Sequence, residues 1–409
     1  MKQSLPILAG LAAALIIGLL LAGTTDPTVT AGLWAFETLG RIWVAFLKMT
    51  VIPLVMSLLI TSIVSASERL GQIAGKALLV FVLLYLFAGA MAALVAPFVL
   101  SWLVVTPDTV ATLTSLVGGS ARPSVETIPF ADQLVRLVPE NPFAAASNAE
   151  ILPLVIFSLL FGLAVTRLPI ATREAVNNFF LGVRDAMLTI VRWILVIAPL
   201  GVFAVVLPLA TQMGSGLVGA LAFYVLMVVG LTIVLTIPLY AIARVAGGVS
   251  LSRFARGCAS PQSVAAGTQS SLASLPAMIE AADTKLELSP NVTGVVLPLA
   301  VSLFRYSGPI WMVTVATFTA HLYGIEFSTA QMVGLVLLGG VITIGGVGLP
   351  SGAGFFGQIT PLFMGMGLPL EITPLFFAVD TLPDLVQTVS NVTGDVTAAA
   401  IVDNHADIN

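Results

Sequence analysis

Long stretches of almost uninterrupted apolar residues recur along the whole chain, and polar residues are concentrated in the segments between them. A helix needs about 20 mostly apolar residues to cross the hydrocarbon core of a bilayer. The pattern therefore predicts membrane-spanning helices instead of amphipathic helices around a soluble core. The candidate spans cover residues 6–23, 33–64, 77–105, 144–166, 177–211, 216–246, 290–322 and 370–402.

Two further segments, 258–282 and 331–366, depart from this pattern. The first is too polar for an ordinary lipid-facing span, and the second is apolar but interrupted by glycines and by Pro350. Irregular backbone at membrane depth survives only where protein buries it or where it lines a wet cavity, and two such segments at matching positions are typical of a transporter's substrate site. We predict two re-entrant hairpins; two weakly hydrophobic helices packed through small residues are the alternative.

Composition narrows the class of protein. Of the 409 residues 58% are hydrophobic and only 9% are charged, whereas an average soluble domain has about 25% charged residues. This excludes a cytosolic enzyme, a secreted domain and a nucleic-acid-binding protein, and the net charge of −4 indicates no polyanionic partner. One cysteine, Cys258, and two distant histidines, His321 and His405, give no basis for a disulfide, a metal centre or a catalytic dyad.

Basic residues predict the orientation, because cytoplasmic loops of membrane proteins are enriched in Lys and Arg. They fall in alternate connections, which places the N-terminus in the cytoplasm. The apolar run Ile7 to Leu21 resembles a secretory signal, but we take it as a first membrane helix because the rest of the chain is equally hydrophobic. The alternation of connections with and without basic residues holds along the whole chain only if each hairpin enters and leaves the membrane on the same side. The C-terminus is then also cytoplasmic. The residues on this side are Lys2, Arg69, Lys76, Arg167, Arg173, Arg244, Arg253 and Arg256, against Arg122 and Arg136 on the other.

One face of the last span is polar. Five polar residues of this span follow one another at intervals of four, three, four and four residues, so in a helix their side chains share an arc of roughly 80°. A charge in hydrocarbon costs at least about 2.5 kcal/mol on insertion scales, so carboxylates in register predict a functional cavity. Pro383 predicts a kink inside this helix. We call Asp380, Asp384, Gln387, Asn391 and Asp395 the polar face.

Arg305 is the one basic residue deep in the preceding span. Gly308 and Pro309 predict a break in that helix, which frees carbonyls and opens space. We expect Arg305 to meet a carboxylate, either that of a substrate or that of Asp395 or Asp384. A purely structural buried ion pair is the alternative interpretation.

Several segments carry motifs that are more specific than hydrophobicity. The most specific is Asn391-Val-Thr-Gly-Asp395, on a polar helix that follows a glycine-rich hairpin. The others are Phe46–Leu54, Asn141–Phe143, Leu152–Leu154 with Phe157, Ala198–Phe203, Thr268–Pro276, Leu297–Leu299 and Gly348–Pro350. In these motifs the chain resembles, over its whole length, the dicarboxylate/amino acid:cation symporter family, which includes the glutamate transporters.

The resemblance implies an all-α polytopic membrane protein with eight transmembrane helices and two re-entrant helical hairpins, arranged as inverted repeats in an elevator-type transporter. It implies a homotrimer whose protomers each have a scaffold and a mobile transport domain. Residues 1–246 would be six helices that form mainly the scaffold and trimer contacts, with part of the transport domain. The transport core would be 247–402, made of hairpin 1 (about 258–282), helix 7 (290–322), hairpin 2 (331–366) and helix 8 (370–402), before a tail at 403–409.

By matching position, the resemblance also implies a substrate site. Asp384 would meet a substrate amino group and Asn391 a substrate carboxylate, which Ser270 and Ser271 at the first hairpin tip would also cradle. Leu349, at the second hairpin tip, would close over the substrate as a gate. The predicted substrate-binding set is completed by Asp380, Gln387, Thr388 and Arg305, and the predicted cation or coupling set is Asp395, Asn391, Arg305 and Tyr306.

Departures from the family pattern bear on coupling. Phe304 and Tyr306 stand where the family has two sodium-ligating side chains, and Leu84-Tyr85 stands where it has a Thr-Ser pair. Aromatic and aliphatic side chains do not supply the hard oxygen ligands that sodium needs. We hypothesise that Arg305 fills a vacated cation position and pairs with Asp395, which would make transport independent of sodium at that position and couple it to protons or to exchange.

A further departure bears on specificity. Gln387 stands where carriers of acidic amino acids have an arginine, which holds a carboxylate bidentately and brings a charge that glutamine lacks. The substrate side chain is therefore expected to be neutral or polar, unless Arg305 restores recognition of an acidic one.

The predicted function is secondary active transport, as a symporter or exchanger, of a small amino acid or dicarboxylate across the plasma (inner) membrane. No cofactor and no nucleic acid are expected, and the partners are the substrate, the bilayer and two further copies of the chain. A channel for anions or solutes and a non-transporting sensor on the same fold are the alternatives. An intramembrane hydrolase using Ser271 or Ser351 is disfavoured, because no histidine or lysine lies in register with either serine.

Overall fold

The computed structural model describes residues 4–24, 26–68, 72–105, 138–148, 150–346 and 351–405. Over these ranges the regular structure is entirely helical, which confirms the predicted all-α class. The helices are α1 (Ser4–Leu20), α2 (Pro27–Lys48), α3 (Val51–Glu68), α4 (Gln72–Leu100), α5 (Pro142–Ser147), α6 (Ile151–Val165), α7 (Ile170–Val196), α8 (Ala198–Met213), α9 (Ser215–Val245), α10 (Leu251–Thr268), α11 (Ser271–Thr284), α12 (Pro290–Leu303), α13 (Ser307–Leu322), α14 (Thr329–Gly346), α15 (Ser351–Met366), α16 (Thr373–Val379) and α17 (Thr381–Asn404), with a 3₁₀ turn at Leu370–Ile372.

The lengths of the helices agree with a multi-pass membrane protein. Within the described chain, four helical stretches are long and apolar enough to cross a bilayer: Pro27–Val64, Gln72–Leu100, Gly216–Val245 and Pro290–Leu322. The pair α7 and α8, bent by 62°, makes a fifth if it counts as one broken span. Shorter apolar helices cover Ala9–Leu20, Pro153–Val165, Thr329–Ile344 and Leu370–Val379. The predicted number of eight spans stays a prediction.

Several predicted spans are interrupted, and a proline lies in the first turn of the helix after each interruption. The first four N–H groups of a helix have no acceptor within it, so a proline there loses no hydrogen bond. At Pro383, where a kink was predicted, the span is interrupted within the preceding turn: α16 ends at Val379 and α17 begins at Thr381. The other prolines in this position are Pro53 in α3, Pro199 in α8 and Pro309 in α13.

Each segment predicted as a hairpin forms two helices that contact each other, α10 with α11 and α14 with α15. A Cβ on Gly257 of α10 would lie 2.5 Å from Leu286, just after α11. A Cβ on Gly365, near the end of α15, would lie 2.8 Å from Leu338 of α14. That these pairs are re-entrant stays a prediction. The first hairpin turns at Gln269, whose φ of 51° is left-handed. The tip of the second, with the predicted gate Leu349, lies outside the described residues.

The most enclosed parts of the molecule are α13 and the second half of α17. Residues 306–320 and 390–400 are buried at every position, on all sides of the helix. Helix α17 packs against α4, α9, α10 and α12. Its polar side chains therefore face other helices, and the polar face predicted from the sequence lies inside the protein.

The N-terminal helix α2 contacts the segments that precede α17. Lys48 Nζ lies 3.1 Å from Glu371 Oε1, across 323 residues of sequence. Trp43 packs edge-on against Phe356 of α15, with ring centroids 5.8 Å apart. An ion pair and an aromatic contact thus join α2 to the C-terminal part of the chain.

Candidate substrate and cation site

The chain leaves helical geometry between α12 and α13, at Phe304–Tyr306, just before Gly308 and Pro309, close to where a break was predicted. We call these three residues the α12–α13 break. Irregular backbone at membrane depth needs hydrogen-bond partners from the protein or from water. Here Tyr85 of α4 supplies one: its hydroxyl accepts from the N–H of Arg305 at 2.7 Å and donates to the carbonyl of Leu303 at 3.2 Å.

Aromatic rings fill the space around the break. Phe304 is 1% exposed and stacks on Phe81 at 4.7 Å between ring centroids, with Tyr85 at 4.9 Å. Tyr306 is fully buried, and its hydroxyl donates to the carbonyl of Leu235 at 2.8 Å. The two residues that stand at predicted sodium-ligand positions therefore pack as aromatic side chains.

Helix α17 approaches this aromatic cluster at a glycine. A Cβ on Gly394 would lie 2.7 Å from Tyr306 Cβ and 3.2 Å from the ring of Phe304. Any larger residue would push α17 away from the break. This close approach brings Asp395, the next residue, to the depth of the break.

Asn391 is held by the first turn of α13. Its Oδ1 accepts two hydrogen bonds, from the backbone N–H and from the hydroxyl of Ser307, both at 2.9 Å. These bonds orient the side-chain amide, and its NH₂ group has no partner among the described residues. Asn391 is 6% exposed, so this NH₂ group is a fixed donor inside the protein.

Asp395 is fully buried, and within the described ranges neither of its carboxylate oxygens has a hydrogen-bond partner. The expected direct pair with Arg305 is not formed in this conformation, because Arg305 makes no ion pair with any described residue. The arginine is nevertheless close enough for its charge to act on all three carboxylates of the polar face. A buried carboxyl group without a partner is costly, so Asp395 is a candidate for a group that takes up a proton, a cation or a substrate group.

The N-terminal part of the polar face lies at the α16–α17 junction. Asp380 is the residue between the two helices, and its buried Oδ1 also lacks a partner in the described part of the chain. Asp384 and Gln387 follow in the first two turns of α17 and are partly buried. The Thr388 hydroxyl donates to the carbonyl of Asp384 at 2.7 Å, so its hydrogen is used within the helix.

The first hairpin tip lies beside the same junction. Gln269 donates from Nε2 to the carbonyl of Thr381 at 3.1 Å. Ser270 caps α11, with its Oγ accepting from the N–H of Ala273 at 3.2 Å, and Ser271 begins that helix. The structure thus brings the predicted serines to the N-terminal end of α17; their role in holding a substrate carboxylate stays a prediction.

Sequence reasoning missed the contacts that hold α17 in place. Gln262 of α10 donates from Nε2 to Thr393 at 2.9 Å and to Tyr240 at 3.0 Å. Thr236 of α9 and Ser390 lie 2.6 Å apart through their hydroxyl oxygens. Polar side chains inside apolar helices are a usable signal for such contacts, but spacing alone does not pair them across separate helices. No cluster of three His, Cys, Asp or Glu residues within the described ranges is placed to hold a metal ion.

Comparison with known proteins identifies the family. Residues 4–405 match the sodium:dicarboxylate symporter family. The chain belongs to this family. It is a family of membrane transporters and not of enzymes, which confirms both the resemblance read from the motifs and the transport class.

Relatives within the sodium:dicarboxylate symporter family are similar over nearly the whole chain. The proton/sodium-glutamate symport protein of Bacillus caldotenax is 26% identical over 96% of this chain and 92% of its own. The proton/glutamate-aspartate symporter of Escherichia coli is 28% identical over 95% and 90%. The neutral amino acid transporter B(0) of Bos taurus is 28% identical over 96% and 78%.

Proposed function

We propose that this protein is a secondary active transporter of a small amino acid or dicarboxylate, coupled to protons or to exchange instead of to sodium at the α12–α13 break. It would act as a homotrimer in the plasma (inner) membrane with both termini in the cytoplasm. Its hairpins and α17 would move as part of an elevator against α2 and its neighbours. Relatives named as a proton/sodium-glutamate symport protein and a proton/glutamate-aspartate symporter support a small amino acid or dicarboxylate as the substrate.

The observation that carries the proposal is the unpartnered carboxyl group of Asp395 beside a break filled by aromatic side chains. A carboxylate that is buried without a donor or a cation is strongly unfavourable, and taking up a proton relieves that cost. Phe304 and Tyr306 offer no side-chain ligand oxygen to sodium, since the Tyr306 hydroxyl is directed at Leu235. Asp395 would therefore serve as a coupling site that a proton can occupy.

The substrate would bind between the first hairpin tip and the N-terminal half of α17. Asp384 would hold an amino group, and the fixed NH₂ of Asn391 would donate to a carboxylate. Ser270 and Ser271 would line the same pocket, with Asp380, Gln387 and Thr388 along α17. Leu349 would close the second hairpin over it.

Arg305 would set which substrate is preferred. Its positive charge acts on the polar face, but the guanidinium is not engaged by any described carboxylate. It is therefore available for a substrate carboxylate, which would compensate for Gln387 standing where an arginine is expected. We expect Arg305→Met to lower kcat/KM for acidic substrates by roughly tenfold or more relative to neutral ones, the scale of one lost charge-assisted hydrogen bond.

Uptake by purified protein in liposomes tests the function. The proposal expects saturable uptake of an amino acid or dicarboxylate that is driven by an inward proton gradient or by internal substrate, with no need for sodium. An absolute requirement for a sodium gradient would contradict the coupling. Flux that neither saturates nor shows trans-stimulation would indicate a channel, and binding without flux a sensor.

Substrate preference is tested by measuring the uptake of acidic and neutral substrates by the Arg305→Met and Arg184→Met variants in the same assay. Arg184 lies on α7, where it pairs with Asp185 at 2.9 Å, far in sequence from the site, and serves as the matched arginine control. An unchanged ratio of acidic to neutral uptake in Arg305→Met would remove this residue from the substrate site.

A further inference from the structure

Tyr85 is the only link described between α4 and the backbone of the α12–α13 break, and it uses both hydrogen-bonding functions of its hydroxyl. The oxygen accepts from the Arg305 N–H at 2.7 Å, and the hydrogen points to the Leu303 carbonyl at 3.2 Å. The side chain is 3% exposed, and its ring lies 4.9 Å from that of Phe304. One rigid side chain therefore holds both ends of the turn that presents Arg305.

The backbone around Arg305 has few other constraints. The Arg305 carbonyl accepts from the N–H of Gly308 at 2.9 Å, but its own N–H has no helical acceptor because α12 ends at Leu303. Without Tyr85, that N–H and the Leu303 carbonyl would need water or an ion, since unsatisfied backbone groups at membrane depth cost several kcal/mol. The hydroxyl supplies from the protein what a bound water or ion would otherwise supply.

We propose that Tyr85 is a positioning residue of the transport site, whose hydroxyl fixes the α12–α13 break and so aims Arg305 at the polar face. This rests on the proposed function, because it takes Arg305 to be a substrate-binding residue. The effect is exerted through Arg305, and Tyr85 itself does not touch the substrate. A tyrosine oxygen bonded to the backbone on both sides of Phe304 also makes the shape of the break independent of a bound cation.

A second buried tyrosine outside the predicted site gives a matched control. Tyr224 of α9 is as buried as Tyr85, and its hydroxyl accepts from Trp311 Nε1 of α13 at 3.1 Å instead of bonding the backbone of the break. Tyr85→Phe and Tyr224→Phe each delete one buried hydroxyl and keep the ring. A general loss of stability affects both variants, whereas a loss of Arg305 positioning affects Tyr85→Phe alone.

The first measurement reports the position of residue 305 without any need for transport. In an Arg305→Cys variant that also carries Cys258→Ala, which removes the chain's one native cysteine, the rate of modification by a membrane-impermeant thiosulfonate reagent is measured. We expect Tyr85→Phe to change this rate roughly fivefold or more and Tyr224→Phe to leave it within about twofold, since one hydrogen bond is worth about that factor.

The second measurement reports transport, in proteoliposomes with L-aspartate and L-serine as acidic and neutral probes. We expect Tyr85→Phe to raise the KM for the preferred probe by roughly five- to tenfold with little change in maximal rate, and to add nothing in an Arg305→Met background. Tyr224→Phe should leave KM unchanged.

The outcomes separate the two proposals. Equal effects of the two tyrosine variants on the modification rate, or no effect of either, overturn the positioning role. A full Tyr85→Phe effect on KM in the Arg305→Met background also overturns it, because Tyr85 would then act independently of Arg305. A third outcome is that Tyr85→Phe alone changes the modification rate of residue 305 while the wild-type protein shows no saturable uptake. That outcome supports the role of Tyr85 in the break but overturns the transport function.

Discussion

The α12–α13 break and the polar face of α17 meet at Gly394, but they differ in how their polar groups are hydrogen-bonded. At the break, the freed backbone groups of Leu303 and Arg305 are both bonded to Tyr85, and the surrounding space is filled by rings. On α17, the carboxyl group of Asp395 is equally buried but has no partner among the described residues. The break is thus a satisfied structure, and the polar face is an unsatisfied one.

This difference distinguishes the hydrogen-bonded residues, which fix the backbone of the site, from the carboxyl group that has no partner in the described part of the chain. Backbone breaks at membrane depth are costly, and a protein that keeps one must satisfy it. A buried carboxyl group that stays unsatisfied is retained at the expense of stability, which is the expected sign of a group that binds and releases something. The proposed division of roles follows from this difference: the aromatic break keeps the shape of the site, and Asp395 would carry the coupling.

The largest effect is expected from Asp395→Asn, which makes the unsatisfied group permanently neutral. Uphill accumulation of substrate in liposomes should fall to the level of empty liposomes, because a proton can no longer be gained or lost there. Exchange of substrate for substrate should persist. Unfolding free energy should change by less than about 1 kcal/mol, because no hydrogen bond to Asp395 is lost.

Asp403→Asn is the control for this variant, because Asp403 lies on the same helix and accepts from the N–H of Ser289 at 2.9 Å. It should keep uphill accumulation. Retained accumulation in Asp395→Asn would place the coupling site elsewhere.

An intermediate effect, on stability, is expected from Gly394→Ala at the contact between the two regions. Its new Cβ would lie 2.7 Å from Tyr306 Cβ, so α17 and the break must separate. Overpacking of this kind costs about 1 to 3 kcal/mol, which thermal unfolding in detergent would detect. Gly334→Ala in α14 is the control, because a Cβ there meets nothing within 4 Å. If both variants are equally stable, the close contact at Gly394 is not a constraint.

The smallest effect is expected from Ser390→Ala, on a part of α17 that is satisfied. The Thr236 hydroxyl donates to the Thr232 carbonyl, so Ser390 is the donor in the 2.6 Å contact with Thr236. Such bonds between membrane helices average about 0.6 kcal/mol. Ser302→Ala, which loses only a bond within its own helix, is the reference. A loss of several kcal/mol specific to Ser390→Ala would mean that α17 is held mainly by its polar contacts.

The α12–α13 break shows which structural features can be predicted from neighbouring residues in the sequence and which cannot. Gly308 and Pro309 predicted it closely, because a proline in the first turn of a helix leaves no helical hydrogen bond unmade. The same rule accounts for Pro383, which lies in the first turn of α17 just after the interruption at Asp380. The role of Tyr85 could not be predicted in this way, since its partners lie 218 and 220 residues further along the chain.

The sequence by itself determined that the protein is helical and crosses a membrane, and that one face of α17 is polar. These properties follow from composition and from periodicity within single helices, which are local. Only the tertiary structure decided which of those polar groups are satisfied: Asn391 is bonded to Ser307, whereas Asp395 is left without a partner. Hydrogen bonding between distant helices depends on how they pack, and no pattern within one helix contains that information.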